Sequence, residues 1–356
     1  FGYDVSDYRK VDPIVGNNDD ADRLIAEADK RGLPVIVEMV MSHTSDRHKW
    51  FEESASSRDN PKADWYVWAD PELGEDGERQ PPNNWKSVFG GSSWQWHEGR
   101  QQYYLHNFDK AQPDLNMHNP DVQEAMLGEV EYWLKKGVKG LRLDAINFLC
   151  HDLELRDCPV KSGTAGNSYS ELEHIYDKNR PETLDFIRRL RKLTDQYPGA
   201  FMVGEIGDDN GMGIAKSYTN GDDLLHTAYN FSLFDRSLSA GYIKGVFEYY
   251  DGLPGDGYAS WAISNHDVPR AASRWGGPDP DSARAKQLNA LLALLPGTVF
   301  MYQGEELGLP DAPIPEDRRV DPAAERGSLM EGRDPSRVPM PWEKDANQAG
   351  FSTADD

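Results

Sequence analysis

The sequence of 356 residues has little cysteine and no long hydrophobic run. Its two cysteines, Cys150 and Cys158, are too few for a disulfide scaffold in a chain of this length. Their spacing leaves a bridge between them open, and no Cys/His cluster has the spacing of a zinc site. No stretch reaches the roughly 18 consecutive apolar residues of a membrane-spanning helix. These absences argue against a disulfide-rich miniprotein and against a helical membrane protein.

Basic residues are also scarce compared with acidic ones. There are 38 Lys and Arg against 61 Asp and Glu, which gives a formal net charge of -23. A field of that sign repels nucleic-acid phosphates and anionic lipid headgroups, whereas it does not repel a neutral ligand. The sequence therefore predicts neither a nucleic-acid nor a membrane partner. Localisation stays open, with the cytoplasm slightly favoured, because any signal peptide would precede Phe1.

Strand-like and helix-like segments alternate along most of the chain. A helix is predicted at 20–32, with Asp20 as its cap and Gly32 at its end, and two further helices begin at Pro120 and Pro181. Six strands are predicted at 35–41, 140–146, 201–207, 226–233, 258–264 and 298–303. This alternation predicts an α/β fold with a parallel sheet.

Residues 44–118 interrupt the alternation. They are aromatic and rich in Gly and Pro, with segments such as WYVW and SVFGGSSWQW. A stretch with so many apolar groups can bury enough surface to fold, so it is interpreted as a small separate subdomain. The tail from Asp311 is a Pro- and charge-rich loop with little periodicity.

Ionisable residues follow four of the predicted strands. A single ionisable residue at a strand end is ordinarily a solvated or capping group, but four successive strands with such residues at their ends indicate a shared site. In a parallel barrel the carboxyl ends of the strands converge on one face, where catalytic groups lie. The strand-end residues are His43, Arg142, Asp144, Glu205, His266 and Asp267.

Two carboxylates that face one bond are the requirement of glycoside hydrolysis, in which one attacks or acts as base and the other donates a proton. A third carboxylate can keep the proton donor protonated by like-charge repulsion. Arg142 precedes Asp144 by two residues, so both side chains point to the same side of a strand. This placement predicts that Arg142 holds Asp144 ionised.

Several ordered motifs carry a family resemblance. SHTS, GLRLDAINF, VGEIG and SNHD resemble the conserved regions of the α-amylase superfamily, glycoside hydrolase family 13. GYDVSDY, QPDLN and RDPSRVPMPW resemble its α-glucosidase and oligo-1,6-glucosidase branch. The resemblance implies a (β/α)8 TIM-type barrel, of which strands three to eight are present, with a domain B insertion after strand three.

The resemblance also implies roles for individual residues. Asp144 resembles the nucleophile, Glu205 the general acid/base and Asp267 the third carboxylate, which binds sugar hydroxyls. Tyr3 resembles an aromatic platform, and Phe108 and Gln112 resemble the subsite wall near the scissile bond. The implied substrate-binding residues are Tyr3, His43, Phe108, Gln112, Arg142, Ala145, His266, Arg333 and Arg337, where the choice between the last two as the sugar contact stays open.

The implied activity is that of a retaining α-glucosidase on short saccharides. Ala145 follows the residue that resembles the nucleophile. At this position members of the branch that act on α-1,6 bonds usually have Val, and members that prefer α-1,4 bonds have Ala or Thr. The resemblance therefore implies a preference for α-1,4 bonds, with maltose or sucrose as the substrate. An α-glucosyl-transferring or isomerising relative, such as a sucrose isomerase or trehalose synthase, is the alternative. A catalytically silent homologue resembling a transporter subunit lacks the carboxylates found here.

Departures from the family pattern set further expectations. Glu38 stands where the family has Asp, and Ser42 stands where many amylases have the Asn that binds calcium. We therefore expect no required cofactor and no metal in this chain, with calcium confined to segments preceding it. The domain prediction is an incomplete barrel of residues 1–43 and 119–356 around the insertion 44–118. Strands one and two and a C-terminal β-sandwich are expected from missing segments or another chain.

Overall fold

The structure, a computed structural model, describes residues 2–74, 77–234, 238–276, 282–321 and 332–353. The chain divides into two compact units. The first comprises Phe1–Asn210, Ile214–Ala228 and Gly255–Gly257. The second comprises Gly211–Gly213, Tyr229–Pro254 and Tyr258–Asp356.

Helices occupy the segments between the parallel strands, as the alternating pattern predicts. The α-helices are α1 Asn18–Lys30, α2 Lys49–Ser56, α3 Pro120–Lys135, α4 Pro181–Thr194, α5 Gly211–Tyr218, α6 Ala240–Gly252, α7 Ala271–Gly276 and α8 Ser282–Leu294.

The strands are short, and most lie inside a segment that the sequence predicts as a strand. They are β1 Val37–Val40, β2 Trp68–Ala69, β3 Glu72–Leu73, β4 Arg79–Gln80, β5 Trp94–His97, β6 Gln102–Leu105, β7 Gly140–Asp144, β8 Phe201–Gly204, β9 Thr227–Asn230, β10 Ala259–Trp261 and β11 Thr298–Val299.

The first unit contains a parallel sheet in which β1, β7, β8 and β9 are successive neighbours. In the register of β1 with β7, Glu38 lies beside Arg142 and Val40 beside Asp144. Because side chains alternate along a strand, Leu141 and Leu143 point into the hydrophobic core while Arg142 and Asp144 point to the other face. The sheet thus separates its apolar support from a polar surface.

Helix α3 supplies much of that support. Asn119 caps it by accepting a hydrogen bond from the Asp121 amide, and Pro120 occupies its first turn. Its apolar stripe, predicted from the four-residue repeat, is 0–3% exposed at Val122, Met126, Val130 and Leu134.

Helix α1 corrects the predicted start of the first helix. It begins at Asn18, and its cap is Asn17 rather than Asp20. Asp20 instead accepts from the Asn17 amide and completes a capping box. Both residues can cap a helix, and the earlier of the two does so here. Gly32, with φ +68°, lies just beyond the helix in the left-handed region.

The strands predicted at 140–146 and 226–233 end earlier than expected. After Asp144 the chain enters a 3-10 helix, Ile146–Phe148, and after Asn230 another, Phe231–Phe234. Both segments stay apolar beyond the last strand residue, so the hydrophobic pattern alone does not mark where the extended backbone ends.

The segment 44–118 contains an antiparallel sheet of three strands in the order β2, β6, β5. It also contains a separate two-stranded hairpin formed by β3 and β4. Trp85, Trp94 and Leu105 are buried in a hydrophobic cluster that also includes Cys158. Cys158 and Cys150 are both buried and carry free thiols, so the bridge that the sequence leaves open is absent.

The second unit contains β10 and β11, which pair in parallel. Trp261 of β10 is 1% exposed and packs with Leu288 and Leu292 of α8. The described residues of the tail, 311–321 and 332–353, are irregular, as predicted, apart from short 3-10 turns. Within the described ranges, no helix has both the length and the apolar character needed to cross a bilayer.

Candidate active site

Arg142 binds carboxylates from three neighbouring strands of the first unit: Glu38 within β1, Asp144 at the end of β7 and Glu205 just after β8. Its Nη1 contacts Asp144 Oδ1 at 2.6 Å and also pairs with Glu38, and its Nη2 lies 2.9 Å from Glu205 Oε2. The Arg142 side chain is 10% exposed. Burial opposes its charge, but the three carboxylates more than offset that cost and raise its pKa above the usual value. One guanidinium thus organises three acidic side chains.

The pKa of Asp144 reflects burial as well as the predicted contact with Arg142. Burial raises the pKa of Asp144 to about 6, Arg142 opposes that rise, and the negative charge of Glu38 adds to it. Asp144 is therefore predominantly ionised at neutral pH, with much less margin than a solvent-exposed aspartate has.

Glu205 follows the last residue of β8 and is held by two donors. Besides Arg142 Nη2, the backbone amide of Ala145 donates to Glu205 Oε2 at 3.2 Å. Ala145 has φ 40° and ψ 42°, the left-handed region that non-glycine residues seldom occupy. The sharp turn after Asp144 aims the Ala145 amide at Glu205. The strained residue therefore joins the two strand-end carboxylates.

Tyr3, His43 and Gln112 form a connected group beside these carboxylates. His43 Nε2 lies 3.0 Å from the Tyr3 carbonyl oxygen and 2.9 Å from Gln112 Nε2. Burial lowers the pKa of His43 to about 4, so its imidazole is neutral at physiological pH. Burial first, and then the charges of Glu38, Asp144 and Glu205, raise the pKa of Tyr3. The Tyr3 hydroxyl, which lies near these acidic groups, is therefore a neutral donor.

Phe108 contributes an aromatic wall. Its ring centroid lies 5.3 Å from that of His43 and 5.2 Å from that of Phe148. Phe148 comes from the 3-10 turn after Asp144 and is 7% exposed. The sequence analysis does not select Phe148, since no feature of its position distinguishes it from an ordinary core residue.

The remaining predicted residues belong to the second unit, where Asp267 is the centre of a cationic cluster. Asp267 Oδ1 accepts from Arg333 Nη1 and from Arg337 Nη2, each at 2.8 Å. His266 Nε2 lies 3.4 Å from Asp267 Oδ2. Burial raises the pKa of Asp267, but His266, Arg333 and Arg337 reverse the effect and leave it below the usual value. Asp267 is thus kept ionised.

Both arginines left open by the sequence contact Asp267, but they differ in their other partners. Arg333 is 8% exposed and makes three hydrogen bonds to Asp321, two from its guanidinium and one from its backbone amide; Asp321 is 5% exposed. Arg337 Nε instead donates to the His266 carbonyl oxygen at 2.7 Å. Asp321 is a supporting residue that the sequence analysis does not identify, because it is far from Arg333 in any local pattern.

Comparison with known proteins places the chain in a family. Residues 1–356 match the α-amylase family described as "Alpha amylase, catalytic domain". The chain therefore belongs to the α-amylase family, and its six parallel strands are those of the family's TIM-type barrel fold, which confirms the predicted fold class.

Within this family, similar proteins include α-glucosidases, a maltase and an α-glucosyl transfer enzyme. A probable α-glucosidase of Rhizobium meliloti is 50% identical over 367 residues, covering 99% of this chain and 66% of that protein. Maltase 1 of Drosophila virilis is 42% identical over 373 residues, covering 100% of this chain and 58% of that protein. The crystal structure of the α-glucosyl transfer enzyme XgtA has a TM-score of 0.92 at 48% identity, covering 99% of this chain and 66% of that one.

The chain thus spans 58–66% of the length of these proteins. The activities in these names are those of the relatives themselves.

Proposed function

We propose that this chain carries the catalytic centre of a retaining α-glucosidase, which removes the terminal non-reducing glucosyl residue from short α-glucosides. The observation that carries the proposal is the pair Asp144 and Glu205, held by the one guanidinium of Arg142 at the ends of neighbouring parallel strands. Two adjacent carboxylates in different environments are what double displacement at an anomeric carbon requires.

In the proposed reaction, Asp144 attacks the anomeric carbon as Glu205 protonates the departing glycosidic oxygen. The bond to the leaving sugar breaks, and a β-linked glucosyl ester of Asp144 forms. Glu205, now a carboxylate, takes a proton from water, which attacks the same carbon and releases Asp144. Two inversions return the α configuration. The Ala145 amide and Arg142 Nη2 hold the Glu205 carboxyl group in place beside Asp144.

The similar proteins support this proposal and its main alternative. The α-glucosidase and maltase names favour hydrolysis, whereas XgtA is an α-glucosyl transfer enzyme. The two outcomes share the glucosyl-enzyme and differ only in whether water or a second sugar accepts the glucosyl group. Hydrolysis is the proposal, and glucosyl transfer or isomerisation is the second candidate.

A proton NMR time course tests the proposal. The purified chain is incubated with maltose, sucrose or p-nitrophenyl α-glucoside. On sucrose and the p-nitrophenyl glucoside, whose leaving groups are not glucose, we expect α-glucose as the first anomer, before mutarotation. β-Glucose as the first product would overturn the retaining mechanism, and a folded chain that turns over none of the three would overturn the activity. New disaccharides exceeding free glucose would favour transfer.

The proposed chemistry uses only protein side chains. Ser42 Oγ lies 3.0 Å from His43 Nδ1, so its hydroxyl is engaged in orienting the buried imidazole. A calcium site needs six to eight oxygen ligands, mostly carboxylates and carbonyls. We propose that no calcium binds beside Ser42 and that the partner of the site is a neutral oligosaccharide or glucoside.

Glu38 is predicted to set the acid limb of the pH profile. Glu38→Gln removes a negative charge that raises the pKa of Asp144, so Asp144 should stay ionised to lower pH. We expect the acid limb of kcat/KM to move to lower pH by roughly half a unit or more, measured on p-nitrophenyl α-glucoside. Glu38→Asp keeps the charge and is the matched control. An acid limb that stays in place, or moves upward, would contradict this account.

Ala145 is predicted to determine linkage preference. The parent should favour maltose or sucrose over isomaltose, and Ala145→Val should move the ratio of kcat/KM toward isomaltose by roughly 10-fold, the usual value of one or two methyl groups in a pocket. The measurement is kcat/KM on maltose, sucrose, isomaltose and soluble starch for both proteins.

Ala145→Thr is the matched control, because threonine is branched like valine and bears the same cost at the left-handed position. We expect Ala145→Thr to keep the maltose preference. A parent that already prefers isomaltose, or a ratio unchanged in Ala145→Val, would remove Ala145 as the determinant.

A further inference from the structure

A buried cluster of three potential metal ligands lies outside the active site, in the segment 149–180 of the first unit. One ligand atom each from Cys158, His174 and Asp177 lie within 4.8 Å of one another. Cys158 is 1% exposed and Asp177 is fully buried, while the His174 side chain is 6% exposed. The residues are separated by intervals that match no common zinc motif, so the sequence analysis does not find them.

The surroundings of His174 determine which of its ring nitrogens faces the cluster. Nε2 lies 2.8 Å from the Tyr169 carbonyl oxygen, which can only accept, so Nε2 carries a hydrogen. Nδ1 faces Asp177 Oδ2 at 2.6 Å. A ring nitrogen and a carboxylate oxygen that face each other need a cation between them, either a proton or a metal ion. A metal-binding histidine typically donates its other N–H to a carbonyl in this way.

Asp177 supplies the second observation. Its Oδ1 is buried and receives no hydrogen bond from an N–H or O–H group in the described part of the chain. A buried carboxylate oxygen without such a donor is costly, and it ordinarily marks a missing partner. The thiol of Cys158 lies beside the same carboxylate, within 4.8 Å of it.

We propose that Cys158 Sγ, His174 Nδ1 and the Asp177 carboxylate bind one structural Zn²⁺ ion. Thiolate, imidazole and carboxylate are the ligands that zinc takes in proteins, and the second Asp177 oxygen or a water completes four-coordination. Binding replaces the thiol proton and the proton between His174 and Asp177, so both are released to solvent. The Nδ1–Oδ2 separation opens to about 3.3 Å around a tetrahedral ion.

The position of the cluster explains what the ion stabilises. The Cys158 amide donates to Asn84 Oδ1 at 2.9 Å, and Asn84 Nδ2 donates to the Cys158 carbonyl at 2.8 Å, so this residue is bound to the insertion 44–118. Shortly after Asp177, the Asn179 amide donates to the Asn147 carbonyl at 2.8 Å, in the turn that follows Asp144. The ion would therefore join the insertion to the turn beside the active site.

The segment has little regular structure that would order it without such a link. Between β7 and α4 the described residues form two short 3-10 turns, Ile146–Phe148 and Tyr169–Glu171, and an isolated bridge between Val160 and Leu172. Long irregular segments are seldom ordered without a specific constraint. His174 also lines a cavity of about 400 Å³ with Lys178 and Asp208, which pair at 3.2 Å.

The experiment uses the full chain, purified under reducing conditions and stripped with a chelator. Titration with Zn²⁺ should show one tight equivalent and raise the thermal unfolding midpoint by roughly 5 °C. Co²⁺ in place of Zn²⁺ should give a thiolate-to-cobalt charge-transfer band. Cys158→Ser and His174→Gln should each lose about 100-fold or more in affinity, whereas Cys150→Ser, which replaces the other buried cysteine, should bind normally.

The Co²⁺ spectrum of Cys150→Ser decides the question even where Cys158→Ser does not fold, because Cys158 is then the only thiol in the chain. A thiolate band in that variant supports the site. No stoichiometric Zn²⁺ binding by the parent, binding without a thiolate band, or equal binding by folded Cys158→Ser would each overturn it and leave only the contact between His174 and Asp177. None of these measurements depends on glucosidase activity.

Discussion

Asp144→Ala is expected to lower kcat/KM on α-glucosides by at least about 10⁴-fold, because Asp144 forms the glucosyl-enzyme in the proposed mechanism. Asp144 is 7% exposed and bound to Arg142 at the end of β7, so a water molecule cannot reproduce its attack geometry. Alanine removes the nucleophile and leaves Arg142 its pairs with Glu38 and Glu205. The measurement is steady-state kinetics on p-nitrophenyl α-glucoside, with thermal unfolding to show that the variant is folded.

Azide separates loss of the nucleophile from loss of structure. A small anion can enter the space vacated by the Asp144 carboxylate and attack from the same face, so Asp144→Ala with azide should form β-glucosyl azide. Asp185→Ala, whose side chain is 77% exposed on α4, is the control and should keep parental activity. α-Glucosyl azide from Asp144→Ala, or full activity in that variant, would exclude Asp144 as nucleophile.

Glu205→Gln is expected to slow turnover by roughly 10²–10⁴-fold, the usual contribution of general acid catalysis. Glutamine keeps a hydrogen-bonding side chain beside Arg142 and the Ala145 amide but cannot transfer a proton. The loss should depend on the leaving group. It should be largest for maltose, whose departing sugar needs the proton, and smallest for a dinitrophenyl glucoside, whose leaving group departs unprotonated.

The azide product again identifies the role. Glu205→Ala leaves Asp144 able to form the glucosyl-enzyme, so azide should attack that intermediate and give α-glucosyl azide, the opposite anomer from Asp144→Ala. Glu131→Gln on α3, whose side chain is 37% exposed, is the control. Equal rate losses on both kinds of substrate would contradict a proton-transfer role for Glu205.

Local signals placed the elements that support the site. Asn119 and Pro120 predict the start of α3, and the four-residue repeat predicts the face that it buries; both are confirmed. A cap and an apolar stripe act within one or two turns, so neighbouring residues carry the information. The predicted start of α1 was wrong because Asn17 and Asp20 can both cap a helix, and the sequence alone does not show which of the two is the N-cap.

In the candidate site, too, contacts between residues close in sequence were predictable, whereas contacts between distant segments were not. The spacing of two residues between Arg142 and Asp144 predicts a shared face, and the structure shows the contact. The pairing of Arg142 with Glu38 depends on the register of β1 against β7, across about a hundred residues of chain. No local pattern specifies that register, so Glu38 was noticed only as a departure from the family.

The sequence by itself determined the alternation of helices with the parallel strands, the acidic character of the chain and the identity of the strand-end carboxylates. Those properties follow from residue type and short spacing. The tertiary structure alone decided that the pKa of Asp144 rises to about 6 and that Cys158, His174 and Asp177 meet. Burial and proximity are properties of the packed chain, because the groups that desolvate or surround a residue come from segments far away in sequence.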